Sequence, residues 1–156
     1  MAAKREEIIA QAHARAYEAV RDGDAISYTV ELRPMVYHNK WLPTAEVLSD
    51  GVYAGHRFII KNFGMWPTAY VQLNDLDYGF HTKIDAFDLQ LEAHGGITYN
   101  DKCLYVGSDL QMGKWIGWDY AHHGDYTGNL VYGGKRWTTE EILEDCICVI
   151  EQVMNL

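Results

Sequence analysis

The chain has 156 residues, of which 48% are hydrophobic, so it can bury a core without disulfides or metal ions as supports. Its formal net charge is −9, and its 13 lysines and arginines form no basic run longer than the pair Lys135 and Arg136. Nucleic-acid backbones attract a basic face, so this composition argues against duplex DNA or RNA as a partner. We expect a single domain covering residues 1–156.

The cysteines and the amino-terminal residues indicate a cytoplasmic protein. The three cysteines are odd in number and show no C-x-x-C spacing, as expected for a chain in a reducing compartment. The first residues are charged and lead directly into an amphipathic segment, without the apolar stretch of a signal peptide or of a membrane span. We therefore expect no membrane partner.

Hydrophobic periodicity predicts a helix near each end of the chain. Apolar residues recur at helical spacing from Lys4 to Arg21, within an amino-terminal helical unit assigned to residues 1–24. A second helix is predicted over residues 138–154, where Thr138 and Glu141 have the spacing of a capping box. A broad apolar face follows them, which indicates that this helix packs on a core.

Alternating apolar and polar residues predict strands between the two helices, within residues 26–133. In chain order, the predicted strands are Ile26 to Tyr37, Val52 to Lys61, Tyr70 to Leu73, Ile84 to Leu91 and Lys114 to Asp119. Residues 38–51 are predicted to form a loop that is rich in turn residues. The fold class that follows is α+β, a mainly antiparallel sheet flanked by an amino-terminal and a carboxy-terminal helix.

A histidine followed by two glycines forms the first candidate motif. His94, Gly95 and Gly96 follow a predicted strand, and Thr98 and Tyr99 come directly after them. Successive glycines permit a sharp turn whose backbone N–H groups face outward, where they can bind an anion or donate to a carbonyl oxygen. A tight hairpin with a surface histidine is the structural alternative.

The second candidate motif follows an aromatic segment that contains Trp118. Asp119, His122 and Asp125 recur at every third position, which brings them together on a turn or short helix, with His94 as a fourth member across the site. Carboxylate and imidazole groups suit Zn²⁺, Mn²⁺ or Fe²⁺, and Asp119 could equally orient a histidine general base. Alternatively, the aspartates cap loops through Asx turns and the histidines satisfy them.

Aromatic residues near both motifs offer faces for a planar ligand such as a nucleobase. They are Trp115, Trp118, Trp137, Tyr99, Tyr120 and Tyr126. Because residues along a strand alternate between faces, Trp115 or Trp118 can belong to the core instead. Lys135 and Arg136 could hold a phosphate beside the start of the last helix, whose free N–H groups favour an anion, or lie on a solvated turn.

Together the two motifs resemble those of a family of small uncharacterised phage and prophage proteins. Its members carry a His-Gly-Gly-[Leu/Ile]-Thr-[Phe/Tyr] run, an aromatic strand ending in Gly-Phe-Asp, then x-x-His-x-Gly-Asp and a closing helix. The corresponding runs here are His94 to Tyr99, Trp115 to Asp119, His122 to Asp125 and Thr138 to Met154. Trp118 replaces the more usual phenylalanine. The resemblance covers roughly Gly51 to Met154 and implies phage origin, without catalytic roles to carry over.

These observations lead to one preferred hypothesis and two alternatives. The preferred one is a phage accessory protein of the host cytosol that counteracts host defence by binding and sequestering a small nucleotide-like ligand, an analogy with other phage proteins of this size. The first alternative is a hydrolase of such a ligand that acts through a metal ion or through acid–base groups. The second alternative is a protein-binding inhibitor of a host enzyme. A homo-oligomer is left open.

The predicted ligand-binding residues are His94, Gly95, Gly96, Thr98, Tyr99, Trp118, Asp119, His122, Asp125 and Arg136. If the protein is an enzyme, His94, Asp119 and His122 are the predicted catalytic residues. A divalent metal ion is the one cofactor considered, and the sequence does not identify which metal it would be.

Overall fold

The computed structural model describes residues 2–23, 25–74, 77, 90–128 and 133–155. Its elements are, in chain order, α1 (Ala2–Asp22), β1 (Ile26–Val30), β2 (Glu46–Tyr53), β3 (His56–Asn62), β4 (Pro67–Leu73), β5 (Tyr99–Val106), β6 (Asp109–Asp119) and α2 (Thr139–Met154). The strands form one sheet in the order β1-β2-β3-β4-β6-β5, and all neighbouring strands are antiparallel. The predicted α+β fold class is therefore confirmed.

Both helices lie on one side of the sheet, which we call the helix face. α2 packs on β2, β3 and β4, and α1 packs against α2. The helix-face core contains alternate strand residues and one side of α2, including Leu48, Phe58, Ile60, Val71, Ile116, Trp118, Ile142, Leu143 and Ile147. From α1 the buried side chains are Ala12, Ala16 and Ala19, whose small size lets the two helices approach closely. None of the described helices is long and apolar enough to cross a membrane.

A second, smaller apolar cluster lies on the opposite face of the sheet. It is formed by Ile59, Tyr70, Leu104 and Trp115. Trp115 and Trp118 are both buried on β6, but they point to different faces because an odd number of positions separates them. Asp119, at the end of β6, lies on this opposite face.

The first strand is shorter than predicted. β1 ends at Val30 and not at Tyr37. The segment that continues through Pro34 is not a strand. Proline has no N–H group to donate to a neighbouring strand, which makes an early end to the pairing understandable.

The structure also corrects the predicted second strand. Most of β2 lies within residues 38–51, which the sequence analysis assigned to a loop. The predicted strand Val52 to Lys61 is in fact a hairpin, in which Ala54 and Gly55 turn the chain at positive φ. An alanine at positive φ is unfavourable and uncommon, so the sequence carried only a weak turn signal at this point.

The sequence pattern does not predict β5, and β6 is longer than predicted. Asp101 and Lys102 are adjacent and both exposed, and the pairing with β6 shifts between Asp101 and Cys103, which breaks the alternation of an edge strand. β6 begins at Asp109, before the predicted start. The predicted strand at residues 84–91 lies outside the described residues except at its end.

The capping box predicted at the start of α2 is confirmed. The Thr138 hydroxyl accepts a hydrogen bond from Glu141 N at 3.2 Å, and Glu141 Oε1 accepts one from Thr138 N at 3.0 Å. Lys135 Nζ lies 2.6 Å from Glu141 Oε2. Side chains of the protein therefore already bind the helix start and the Lys135 ammonium. These are two of the groups that the sequence analysis considered for binding a phosphate.

The variant Thr138→Ala tests this cap. It removes the oxygen that satisfies a free N–H group of the first helical turn, so we expect the free energy of unfolding to fall by about 1 kcal/mol. Urea denaturation followed by circular dichroism measures the change. Thr138→Ser keeps an acceptor oxygen and is the matched control, and equal loss in both variants would contradict the cap.

Candidate functional site

The two glycines of the first motif form a turn that accommodates a histidine from the second motif. Gly96 N donates to Ala93 O at 2.9 Å, so this amide is already occupied within the protein. Gly95 has a φ of +69°, and a Cβ there would lie only 2.1 Å from His122 Nε2. Glycine is thus required at this position by both the backbone conformation and the close approach of the His122 ring.

Asp125 is the centre of a polar network that joins both motifs. Its side chain is only 3% exposed. Oδ2 accepts hydrogen bonds from His94 Nε2 at 2.7 Å and from His122 N at 3.0 Å, and Oδ1 accepts one from Trp137 Nε1 at 2.8 Å. Burial raises the pKa of Asp125, but these hydrogen bonds outweigh it and hold the pKa below its usual value.

Asp119, at the end of β6, forms the second part of the network. Its Oδ1 accepts a hydrogen bond from Ala121 N at 3.1 Å, which makes an Asx turn. The same oxygen lies 3.1 Å from His122 Nε2, although the two atoms are not aligned as a hydrogen bond. Oδ2 accepts from the Thr98 hydroxyl at 3.3 Å. With its side chain 28% exposed, Asp119 retains acceptor capacity for a ligand.

The predicted ligand-binding residues do not line one common cavity. Thr98, Tyr99, Trp118 and Asp119 border a cleft of about 300 Å³ on the opposite face of the sheet. His94 borders a separate cavity of about 180 Å³ beside the helices. The remaining predicted residues, Gly95, Gly96, His122, Asp125 and Arg136, are not among the residues that line either space. The network through His122 and Asp125 connects the two sides at the end of the sheet.

The smaller cavity contains ionisable side chains, but the structure favours neither an activated thiol nor a metal site among those described. Its lining residues are His13, Glu92, Ala93, His94, Trp137, Asp145 and Cys148. Burial raises the pKa of Cys148 to about 12, so its sulfur is a thiol at neutral pH and a poor nucleophile. Among the residues that the structure describes, no group of three His, Cys, Asp or Glu side chains is placed to hold a metal ion.

The side chains of Trp118 and Arg136 contact other residues of the protein. The Trp118 indole packs in the helix-face core, where its Nε1 donates to Tyr120 Oη at 3.1 Å. The Arg136 guanidinium lies 4.3 Å from the centre of the Tyr126 ring. Trp118 therefore borders the cleft without offering its ring face, and Arg136 lies outside the cleft lining.

We call the cleft of about 300 Å³ the aromatic cleft. It is lined by Trp41, Phe63, Trp66, Thr68, Tyr70, Thr98, Tyr99, Trp118 and Asp119. Its rings come from three separated parts of the chain: the segment between β1 and β2, the β3–β4 connection with β4, and the start of β5. A side-chain set drawn from such distant positions exists only after the sheet has formed.

Backbone hydrogen bonds hold residues 36–42 against the turn between β3 and β4. His38 N donates to Gly64 O at 2.9 Å, and Leu42 N donates to Phe63 O at 2.9 Å. These contacts satisfy backbone groups of a segment that forms no strand. They also fix the position of Trp41, the tryptophan of this segment.

Trp41 contacts Trp66 at the cleft. Their ring centres are 4.7 Å apart with an interplanar angle of 81°, an edge-to-face pair. The approach depends on Gly64, which has a φ of +99° and where a Cβ would lie 2.0 Å from Lys40 O. Any larger residue would push the two segments apart.

The other wall combines rings with hydroxyl groups. Tyr70 and Tyr99 also form an edge-to-face pair, with ring centres 5.1 Å apart at 87°. The Thr68 hydroxyl is buried beside Tyr70 and makes no well-aligned hydrogen bond. Together with Thr98 and Asp119, it gives the cleft a polar side that can recognise a ligand by hydrogen bonds.

Lys61 places a buried positive charge beside this polar side. It pairs with Thr68 across β3 and β4 and is only 6% exposed. Its Nζ lies 4.9 Å from the ring centre of Tyr70 and 5.8 Å from that of Phe63, two residues that line the cleft. Burial lowers the pKa of Lys61 to about 8, and no carboxylate in the described part of the chain offsets this effect.

Sequence reasoning missed six residues of this region, namely Trp41, Lys61, Phe63, Trp66, Thr68 and Tyr70. Trp41 and Trp66 each stand close to a proline in a turn-rich segment, and a large aromatic residue in such a segment is a usable signal for a binding site. Lys61 carries no comparable signal, because a lysine at a strand end normally indicates a solvated position.

The variant Asp125→Asn tests the central carboxylate. It keeps the size of the side chain but loses the charge and places an amide donor among N–H groups, so we expect the free energy of unfolding at pH 7 to fall by roughly 1–3 kcal/mol. The lowered pKa stabilises the fold above the usual value of 3.8, and this contribution disappears as the pH falls through the folded-state pKa.

Urea denaturation between pH 7 and pH 2 should therefore show a smaller loss of stability on acidification in Asp125→Asn than in the wild type. Asp109→Asn, at an exposed position, is the control and should follow the wild-type curve. Identical acid profiles for Asp125→Asn and the wild type would contradict the lowered pKa.

The variant Lys61→Met tests the buried ammonium. The pKa of the Lys61 ammonium is about 8 in the folded chain and 10.5 in the unfolded chain. Between these pH values the unfolded state binds more protons, so the free energy of unfolding of the wild type should rise as the pH increases from about 8 to 10.5. Lys61→Met lacks this rise and should be more stable than the wild type at pH 7 by roughly 1–3 kcal/mol. Lys102→Met, at an exposed position, is the control. If Lys61→Met is less stable than the wild type, other contacts of the ammonium compensate for its burial.

No protein-family model, curated protein or solved structure matches this chain.

Proposed function

We propose that the protein binds a small planar, nucleotide-like molecule in the aromatic cleft. The observation that carries the proposal is the composition of that cleft, in which rings from distant segments meet a side formed by Thr68, Thr98 and Asp119. Apolar rings supply binding energy, and a few placed polar groups supply orientation, which is the usual composition of a small-molecule site.

Trp41 is the side chain best placed to stack on a ligand. It is 58% exposed, which is unusual for tryptophan, yet the fixed contact with Trp66 holds it in one position. An edge-to-face pair leaves a ring face free, and stacking of a base on an aromatic ring contributes about 1–3 kcal/mol. The indole is therefore preorganised, so little conformational entropy is lost when a ligand binds.

Asp119 gives the cleft a preference for ligands with N–H donors. A carboxylate only accepts hydrogen bonds, whereas the hydroxyls of Thr98 and Thr68 can donate or accept. A base with an exocyclic amine, as in guanine, adenine and cytosine, offers Asp119 more N–H donors than uracil or thymine, which have one N–H between two carbonyl oxygens. The expected ligand thus carries a base with an exocyclic amine.

The size of the cleft suits a small ligand. Its volume of about 300 Å³ is at the lower end of the range for small-molecule sites.

A hydrolase acting on the same ligand is the second candidate function. It is favoured by the distance of 3.1 Å between Asp119 Oδ1 and His122 Nε2 at the edge of the cleft, a pair that could transfer a proton. Binding remains the first proposal because His122 is not among the residues that line the cleft.

The cellular role that we propose for this binding is sequestration of a nucleotide-derived signal in a phage-infected cell. Its support is the resemblance of the two motifs to phage proteins, together with the analogy to other phage accessory proteins.

The variant Trp41→Ala tests the cleft directly. Because the side chain is exposed, its loss should change stability little, but it should weaken ligand binding on the order of ten- to a hundredfold. Titration calorimetry with a panel of purine and pyrimidine nucleotides, linear and cyclic, measures the affinities. Tyr105→Ala, which removes a similarly exposed ring outside the cleft, is the matched control. Equal affinities in both variants would place the binding site elsewhere.

Incubation of the wild type with the same panel separates binding from hydrolysis. A binder takes up about one ligand per chain and releases it chemically unchanged on heating, as judged by chromatography of the supernatant and of the heat-released fraction. Turnover of any nucleotide beyond one equivalent per chain would replace binding by hydrolysis as the function.

A further inference from the structure

Lys61 is a buried cation for which the described residues provide no anion. Lys61 is not itself among the residues that line the aromatic cleft, but its ammonium lies over the rings of Tyr70 and Phe63, which are. Burial is the cause of its lowered pKa. A charged group that leaves water without a counter-ion destabilises the fold unless something else compensates it. With its pKa at about 8, the group still carries its proton at neutral pH.

The position of Lys61 follows from the register of three neighbouring strands. Lys61 on β3 pairs with Thr68 on β4, and Thr68 in turn pairs with Asp119 on β6. Residues paired in this way point to the same face of the sheet. The three residues therefore form a polar row across the opposite face, and we use that name for them.

The polar row leaves Lys61 without a neighbouring carboxylate. Adjacent strands are about 4.8 Å apart, so the Cα atoms of Lys61 and Asp119 are separated by about 10 Å across two strand intervals. Burial, and no carboxylate of the described residues, shifts the pKa of Lys61, and the buried Thr68 hydroxyl between them makes no well-aligned hydrogen bond. The row thus offers a cation at one end, an acceptor at the other and a buried hydroxyl between them.

We propose that Lys61 and Thr68 form the anion-recognition end of the aromatic cleft, and that the ligand carries a phosphate or carboxylate group attached to its planar part. The inference rests on the proposed function, since the anion belongs to the same ligand that stacks at Trp41. An anionic oxygen beside Lys61 accepts hydrogen bonds from both the ammonium and the Thr68 hydroxyl, which satisfies both groups at once. The base then faces Asp119 at the other end of the row.

The charge balance favours a ligand with a single anionic group. Lys61 supplies one ammonium beside the cleft, Asp119 adds a carboxylate, and the chain as a whole has a net charge of −9. A triphosphate would bring several charges that nothing in the polar row neutralises. The expected order of affinity is therefore nucleoside monophosphate, then nucleoside, with the triphosphate below the monophosphate.

Calorimetric titration of matched ligands tests the inference. The probes are guanosine and adenosine, their 5′-monophosphates, their 5′-triphosphates and their 5′-carboxylate analogues, which distinguish phosphate from carboxylate recognition. We expect the wild type to bind the monophosphate or the carboxylate form of at least one base tenfold or more tightly than the parent nucleoside. Lys61→Met should reduce this ratio to less than twofold.

Two further variants keep the test decisive. Lys61→Gln replaces Lys61→Met if the latter does not fold by circular dichroism, and Lys102→Met controls for the general loss of a positive charge. A wild type that binds nucleoside and both anionic forms equally would overturn the role of Lys61 while leaving the proposed function intact. A wild type that binds none of these probes would overturn both, and an anion preference that survives in Lys61→Met would place the anion elsewhere.

Discussion

The buried carboxylate of Asp125 is the contact on which the arrangement of the two motifs depends. It accepts hydrogen bonds from His94, from the backbone of His122 and from Trp137, so it joins the glycine turn, the loop after β6 and the residues that precede α2. Acceptor and donor groups that are buried together must satisfy one another, since no water is present to replace a missing partner. The histidines of the motifs are therefore explained first as parts of a structural network. Asp119, at the edge of this network, is the member that remains partly exposed toward a cleft.

The alternation of side chains along the strands gives the sheet two faces of different composition. Residues on the helix face pack against α2, whereas the paired residues Lys61, Thr68 and Asp119 lie together on the opposite face. A change of register by one residue would move all three into the helix-face core, where an ammonium and a carboxylate could not be accommodated. Sheet pairing thus positions the proposed ligand contacts, and the apolar core of the helix face holds that pairing in place.

The candidate site could be predicted only in part, for a physical reason. The motif around His94 and the run from Asp119 to Asp125 were recognisable because glycine, histidine and aspartate side chains close in sequence are unusual in a purely apolar core. The aromatic cleft was not recognisable, since Trp41 and Trp66 become neighbours only through backbone hydrogen bonds between a loop and a distant turn. Likewise, Gly95 was interpreted as a donor to a ligand, but its role in the fold is to make room for the ring of His122.

The sequence by itself determined the features that depend on neighbours along the chain. These are the two amphipathic helices, the capping box at Thr138, the presence of several alternating strands and hence the α+β class. Only the tertiary structure decided which residues meet across strands and loops, including the strand β5, the hairpin at Ala54 and the polar row from Lys61 to Asp119. The reason is that helical periodicity and capping are satisfied within a few residues, whereas strand order and register are set by packing between segments that are far apart in sequence.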